Sequence, residues 1–224
     1  MSAEHSSASA ETIEQTKQQI RTIVSEISQL SKSDVGAEQY YAAFLHKIIS
    51  ALAAIGGAVW LLGESRRLQL TYQINLSDTL LDSSSEDAGR HLRLLDYVSR
   101  SGEGTLVPPL SGASDERAGG NPTRSLLVLC PLRSDGRVEG MVEVFQRPES
   151  PPAAQRGYLR FLEQMCELAG EWLKTQKLRK FSDRHSLWAQ ADQFSRIVHE
   201  SLDARETAYA VANEGRRLIG CDRV

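Results

Sequence analysis

Ser125–Pro148, SLLVLCPLRSDGRVEGMVEVFQRP, decides the fold. Ser125–Leu132 is an almost unbroken apolar run, too short for a core helix and rich in branched residues, and reads as a buried strand. Ser134-Asp135-Gly136-Arg137 has the composition of a tight hairpin turn, in which Gly136 supplies a positive φ. Beyond it Val138, Gly140, Val142 and Val144 alternate with Glu139, Met141, Glu143 and Phe145, the two-residue period of a strand. Gly140 leaves room for a close neighbour within the sheet. The segment is therefore an antiparallel hairpin at the centre of a sheet.

Working outward, Ser150-Pro151-Pro152 caps and opens a helix, with proline in the first turn where its missing N–H costs nothing. Phe161, Leu162, Met165, Leu168, Ala169, Trp172 and Leu173 give that helix a wide apolar face. Its helical character runs on, with a break expected near Phe181–His185, to about Ser201. On the other side, Ser101–Arg124 is rich in Gly, Pro and Ser and reads as a long loop around one short strand, Thr105–Val107. It follows a helix from Glu86 to Arg100, with Ser83 and Glu86 as a capping box and Ala88, Leu92, Leu95 and Val98 facing inward.

Upstream, Arg67–Ile74 alternates Leu68, Leu70, Tyr72 and Ile74 with polar residues, as a half-exposed strand does. It pairs through the turn Gly63–Arg66 with a buried strand, Ala58–Leu62. Before that strand, a helix from Ala37 to Ala54 carries Tyr41, Phe44, Leu45, Ile48 and Leu52 on one face. Ser33 or Asp34 caps it, and Gly56-Gly57 ends it. The apolar run Ile48–Leu62 is shorter than the roughly 18–20 residues of a membrane span, and Gly56-Gly57 divides it into helix and strand.

Element order predicts an α+β fold: a central antiparallel sheet of about five to six strands with helices packed on it, flanked by long N- and C-terminal helices. Residues 1–10 are polar and read as disordered, with no apolar core of a signal peptide. Residues 11–33 repeat Ile13, Thr16, Ile20, Ile23, Ile27 and Leu30 at heptad spacing, which suits a partner helix. A homodimer through helices follows as an expectation, with Ile13, Ile20, Ile23, Ile27, Leu30 and Trp172 at the interface.

The chain resembles the GAF family across roughly Ala37–Lys180. The resemblance rests on the strand ending in Pro131-Leu132, the turn at Asp135-Gly136, Gly140 in the next strand, and the helix-to-strand step Leu52–Leu62. Leu202–Leu218 followed by Ile219-Gly220-Cys221-Asp222-Arg223-Val224 echoes that opening step around Ile55-Gly56-Gly57-Ala58-Val59. This divides the chain into residues 34–180 as one GAF-like domain, 181–201 as a helical linker and 202–224 as the start of a second domain. The resemblance implies a non-catalytic sensory or regulatory module of a longer bacterial signalling or secretion-adaptor protein. Such a module binds a small ligand and passes its state along the terminal helices, or serves as a ligand-free interaction and dimerisation platform.

The residues themselves exclude several functions. A net charge of −3, from 26 basic and 29 acidic side chains, gives no basic excess for nucleic acid. No segment calls for membrane contact, and a cytoplasmic location is expected. Cys130, Cys166 and Cys221 have no metal-like spacing and fit a reducing compartment; Cys130 reads as a small buried hydrophobe. Ser182, Asp183 and His185 carry the letters of a hydrolase triad, but on one helix within four residues they cannot make its chain of contacts. Glu139 and Glu143 read as a solvated pair. The Asn, Lys, Phe and Asp-Glu set of the cyclic-nucleotide-binding relatives is missing, and no Cys adjoins a His as a bilin attachment would require. No cofactor can be assigned, and enzymatic activity is not expected. A ligand is expected between the sheet and Glu86–Arg124, with Trp60, Tyr72 and His91 as candidate lining residues; Trp60 and Tyr72 read equally as plain core, and a lone His on a helix as a structural or exposed residue.

Overall fold

The computed structural model describes residues 18, 20–76, 86–112, 119–200 and 203–219. Residues 20–32 form helix α1. It is followed by α2 (Ala37–Leu52), β1 (Gly56–Leu62), β2 (Leu68–Ile74), α3 (Glu86–Ser101), β3 (Thr105–Val107), β4 (Leu126–Ser134), β5 (Arg137–Gln146), α4 (Pro152–Val198) and α5 (Ala204–Ile219). The strands make one antiparallel sheet in the order β2-β1-β5-β4-β3. The fold is α+β, with five strands. The Ser125–Pro148 segment is the β4–β5 hairpin at its centre. Asp135 and Gly136 both take positive φ in the turn (50° and 74°), and a Cβ on Gly140 would lie 2.2 Å from the Trp60 carbonyl of β1.

Two cores sit on opposite faces of the sheet. On one, α1, α2 and the first half of α4 pack around Val59, Val128, Cys130, Leu132, Val142 and Val144. Its centre is an aromatic stack: Tyr40 and Trp172 lie parallel with centroids 3.9 Å apart, and Tyr41 meets the indole edge-on at 5.4 Å. On the other face, Leu94, Leu95 and Val98 of α3 pack on Ala58, Trp60, Leu127, Leu129, Met141 and Phe145.

The chain divides into two compact units, Met1–Leu173 and Lys174–Val224, with the boundary inside α4. In the second unit α5 is capped by Asp203, whose Oδ1 accepts from the Arg205 and Glu206 amides at 2.8 and 3.1 Å.

Several local expectations are corrected. α2 begins after Gly36 without a side-chain cap, and ends at Ala53 in the left-handed conformation. Ser33 instead donates to the Leu30 carbonyl at the end of α1. Gly56 and Gly57 lie inside β1, where Cβ atoms would press on the Ile74 and Glu143 carbonyls. α4 is continuous through Phe181–His185. In α3, Leu92 is exposed, while His91 and Leu94 point inward. Ser83, Ile13 and residues 220–224 lie outside the described residues.

The proposed dimer-interface residues fare unevenly. Ile27 and Trp172 are buried within the domain, at 0% and 2% exposure. A helix that must cover an open sheet face uses its heptad stripe against its own domain, so these two side chains are not available to a partner. Ile23 and Leu30 are half-buried against the same core, and Ile20 is 38% exposed.

Candidate functional site

The α3 face contains charged chemistry in an otherwise apolar setting. Glu143 sits mid-strand in β5, paired across to Ala58 of β1 and Leu129 of β4. Strand alternation puts it on the same face as Met141 and Phe145, under α3, and its side chain is fully buried. The small Ala58 beside it leaves space for the carboxylate. Trp60 of β1 donates its indole N–H to Glu143 Oε2 at 3.1 Å. His91 of α3, 2% exposed, brings Nε2 to 2.9 Å from Glu143 Oε1.

That last approach is close but lies off the hydrogen-bond direction. His91 Nδ1, His91 Nε2 and Glu143 Oε1 therefore have no hydrogen-bond partner from the protein. Three buried, unsatisfied polar atoms at one place are an expensive arrangement, since each desolvated group costs about 1–3 kcal/mol. The trio has the donors and acceptors to fix a small polar molecule, or the polar end of a larger one, within apolar walls.

The segment over this face is tightly tied. Asn121 is buried, and its side-chain N–H groups reach the carbonyls of Val107, Pro108 and Ser125 at 3.2, 3.0 and 2.7 Å. Its Oδ1 accepts from the amide and hydroxyl of Thr123. Gly120 N–H donates to the Arg90 carbonyl one residue from His91, so the loop is anchored to α3 beside the site.

Trp60 and His91 are thus brought together, as the sequence suggests, but Tyr72 is not with them. The β1–β2 register shifts between Val59 and Trp60: Val59 faces Tyr72 and Trp60 faces Leu70. This bulge turns Tyr72 to the α2 side of the sheet, where it packs with the aromatic core. Glu143, read from the sequence as solvated, is the buried centre of the trio. Alternation places it on a definite face, but only the α3 position shows that this face is covered.

Solved structures share this arrangement of helices and sheet. The A. aeolicus nlh2 GAF domain, in an inactive state, superposes with a TM-score of 0.56 at 15% identity, over 72% of this chain and 99% of that one. The GAF domain of a putative sensor histidine kinase from Pseudomonas syringae pv. tomato gives 0.54 at 13% identity, over 79% of this chain and 99% of that one. The fold is GAF-like. The free methionine-R-sulfoxide reductase from Neisseria meningitidis, solved with its substrate, shares the GAF-like architecture at a TM-score of 0.50 and 13% identity, over 71% of this chain and 91% of that one. No protein-family model matches the chain, and no curated protein does.

The GAF-like domain also has a cavity of about 690 Å³ between α4 and the β4–β5 turn, lined by Gly102–Gly104, Cys130, Arg133, Glu163, Cys166 and Glu167 among others. Its chemistry is less suggestive than that of the α3 trio, none of whose side chains lines it. Burial pushes the Cys166 thiol well above the ordinary range, and Cys130, Glu163 and Glu167 push it further. A thiol held protonated is a poor nucleophile and a poor metal ligand. Among the described residues no group of three or more His, Cys, Asp or Glu is disposed to hold a metal. No helix there is long and apolar enough to cross a membrane.

Proposed function

We propose that this chain is a sensory or regulatory GAF-like domain that binds a small molecule on the α3 face, at Trp60, Glu143 and His91. The observation that carries this reading is the set of three buried polar atoms without protein partners. A fold kept only for packing gains nothing from a desolvated carboxylate and imidazole, which apolar residues of similar volume would replace without loss. The ligand supplies the missing hydrogen bonds. The resulting order in α3 passes through the sheet to α4, whose first half packs on the opposite face. The domain acts without catalysis, in a reducing cytoplasm, and residues 202–224 open a second GAF-like domain. The N-cap at Asp203 supports a helix start at the expected point.

Native mass spectrometry of the purified chain, with thermal-shift screening, tests the ligand site. A bound molecule should be lost from His91→Leu and Glu143→Leu and retained by Tyr72→Ala. A molecule retained by both Leu variants would place the ligand elsewhere. Water alone as the partner of the trio would give no bound mass and no ligand-dependent stabilisation.

A further inference from the structure

Cys130 of β4 and Cys166 of α4 meet on the α2–α4 face, away from the ligand site. Both are free thiols, buried to 4% and 3% exposure. The Cys166 thiol is in hydrogen-bond contact with that of Cys130, and its Sγ lies 3.9 Å from the Cys130 carbonyl. A glycine sets this approach. A Cβ on Gly170, one turn along α4 from Cys166, would lie 2.0 Å from the Arg133 carbonyl of β4, so the helix backbone rests directly on the strand there. A disulfide between two elements needs such close backbones, since its Cα atoms lie about 4.4–6.8 Å apart. Both cysteines also line the cavity of about 690 Å³ between α4 and the β4–β5 turn, which is partly open to solvent. The charge of that cavity is one-sided: Glu103, Asp135, Glu163, Glu167 and Glu171 line it against Arg133.

We propose that Cys130 and Cys166 form a reversible thiol-oxidation site that takes a small neutral or cationic disulfide and closes into an intramolecular disulfide. One protein thiol loses its proton and attacks a sulfur of the reagent, R–S–S–R. A mixed disulfide forms and R–S⁻ leaves, taking up the released proton. The second protein thiol loses its proton and attacks the protein sulfur of the mixed disulfide. The Cys130–Cys166 bond forms and a second R–SH departs, so two protein thiols are oxidised and one reagent disulfide is reduced to two thiols. The lining carboxylates repel an anionic reagent and draw a cationic one. Cys166 is held protonated, which makes the exchange slow at neutral pH and faster as pH rises. The new bond pins the first half of α4 to the sheet. The proposal stands independently of the ligand site, none of whose three residues lines the cavity.

Mass spectrometry of the full chain carrying Cys221→Ser, incubated with matched disulfides, tests it. The reagents are cystamine (dicationic), hydroxyethyl disulfide (neutral) and dithiodipropionate (dianionic). Each rate is divided by that of the same reagent with N-acetylcysteine amide, which removes differences between leaving groups. The expected product has lost two hydrogens, gives one Cys130–Cys166 cross-linked peptide pair on digestion without reduction, and is restored by dithiothreitol. Normalised rates should fall by about tenfold or more from cystamine to the dianion. Glu163→Gln with Glu167→Gln, which leaves both thiols in place, should cut that ratio by about threefold or more. Cys130→Ala and Cys166→Ala should each stop at a mixed disulfide on the remaining thiol, with near-ultraviolet dichroism of the Trp172 stack reporting an intact domain. The oxidised chain should melt several degrees above the reduced one. A folded chain that keeps both thiols in excess cystamine, a mixed disulfide that never resolves, or a dianion as fast as cystamine would overturn the proposal.

Discussion

The two faces of the sheet solve the same burial problem in opposite ways. The α2–α4 face is filled by rings: Tyr40, Tyr41, Phe44 and Trp172 in contact with one another and with an apolar sheet. Its polar atoms are neutral: the Tyr40 hydroxyl lies 3.0 Å from Ser31 Oγ, and the Tyr41 hydroxyl and Trp172 indole N–H are buried without a hydrogen-bond partner. The α3 face is equally dry but has a carboxylate and an imidazole at its centre, 2.9 Å apart and incompletely bonded. One sheet therefore separates a face filled by aromatic rings from a face that buries a carboxylate and an imidazole. The first face anchors α4; the second is the face on which the proposed ligand site lies.

The largest expected effect lies on the cohesive face. Trp172→Ala removes the largest ring of the stack and should cost about 3–5 kcal/mol in denaturant unfolding, without altering the polar trio. Next comes His91→Leu, which removes the imidazole 2.9 Å from Glu143 Oε1, leaves the carboxylate buried against an apolar side chain and should cost about 3 kcal/mol. Replacing the trio together, Trp60→Phe with His91→Leu and Glu143→Leu, should return stability to within about 1 kcal/mol of the parent or raise it. A triple variant as unstable as the single would show that the polar groups hold the fold together, and the contrast between the faces would fail.

A smaller effect distinguishes the faces by pH. Cys166, Tyr40 and Tyr41 on the cohesive face all have their acidities weakened, in each case chiefly by desolvation on burial, with smaller contributions from neighbouring groups. The folded state holds these groups neutral more firmly than the unfolded chain does. Their stabilisation is complete below the free thiol's value of about 8.5 and is lost as pH rises from there toward the folded value, with the tyrosines contributing above about 10. The thermal midpoint should fall through this alkaline range, and Cys166→Ala should flatten its first part. A midpoint that holds level from pH 8 to pH 11 would contradict this assignment. The smallest effect is expected at Tyr72. As a half-buried edge-strand residue, its change to alanine should cost about 1 kcal/mol and leave α3-face binding untouched.

Much of this was legible in the sequence. The β4–β5 hairpin announces itself because a buried strand, a turn requiring positive φ and an alternating strand follow without interruption. The opposing placement of α2 and α4 against α3 follows from their apolar stripes. The site was only half legible. His91 and Trp60 could be named, yet Tyr72 was grouped with them because a β-bulge, which reverses strand phase, leaves no mark in a pattern of alternating residues. Glu143 read as solvated because a charged residue in an alternating strand is ordinarily outward; its burial comes from the tertiary placement of α3. Ile27 and Trp172 looked like surplus apolar surface because a sequence does not say whether a heptad stripe meets a partner or its own domain.

The three tryptophans stand in three settings: Trp60 hydrogen-bonded to Glu143, Trp172 stacked on Tyr40, and Trp188 three-quarters exposed. The indole N–H region of a ¹⁵N-correlated spectrum therefore reads recognition face, cohesive face and outer α4 separately, once each signal is assigned by substitution. Titration with a molecule found by native mass spectrometry or thermal shift is the most direct test of the ligand site. The Trp60 signal should shift markedly while Trp172 moves little and Trp188 stays at its place at constant protein concentration. A bound molecule that shifts Trp172 or Trp188 and leaves Trp60 unmoved would contradict the assignment of recognition to the α3 face.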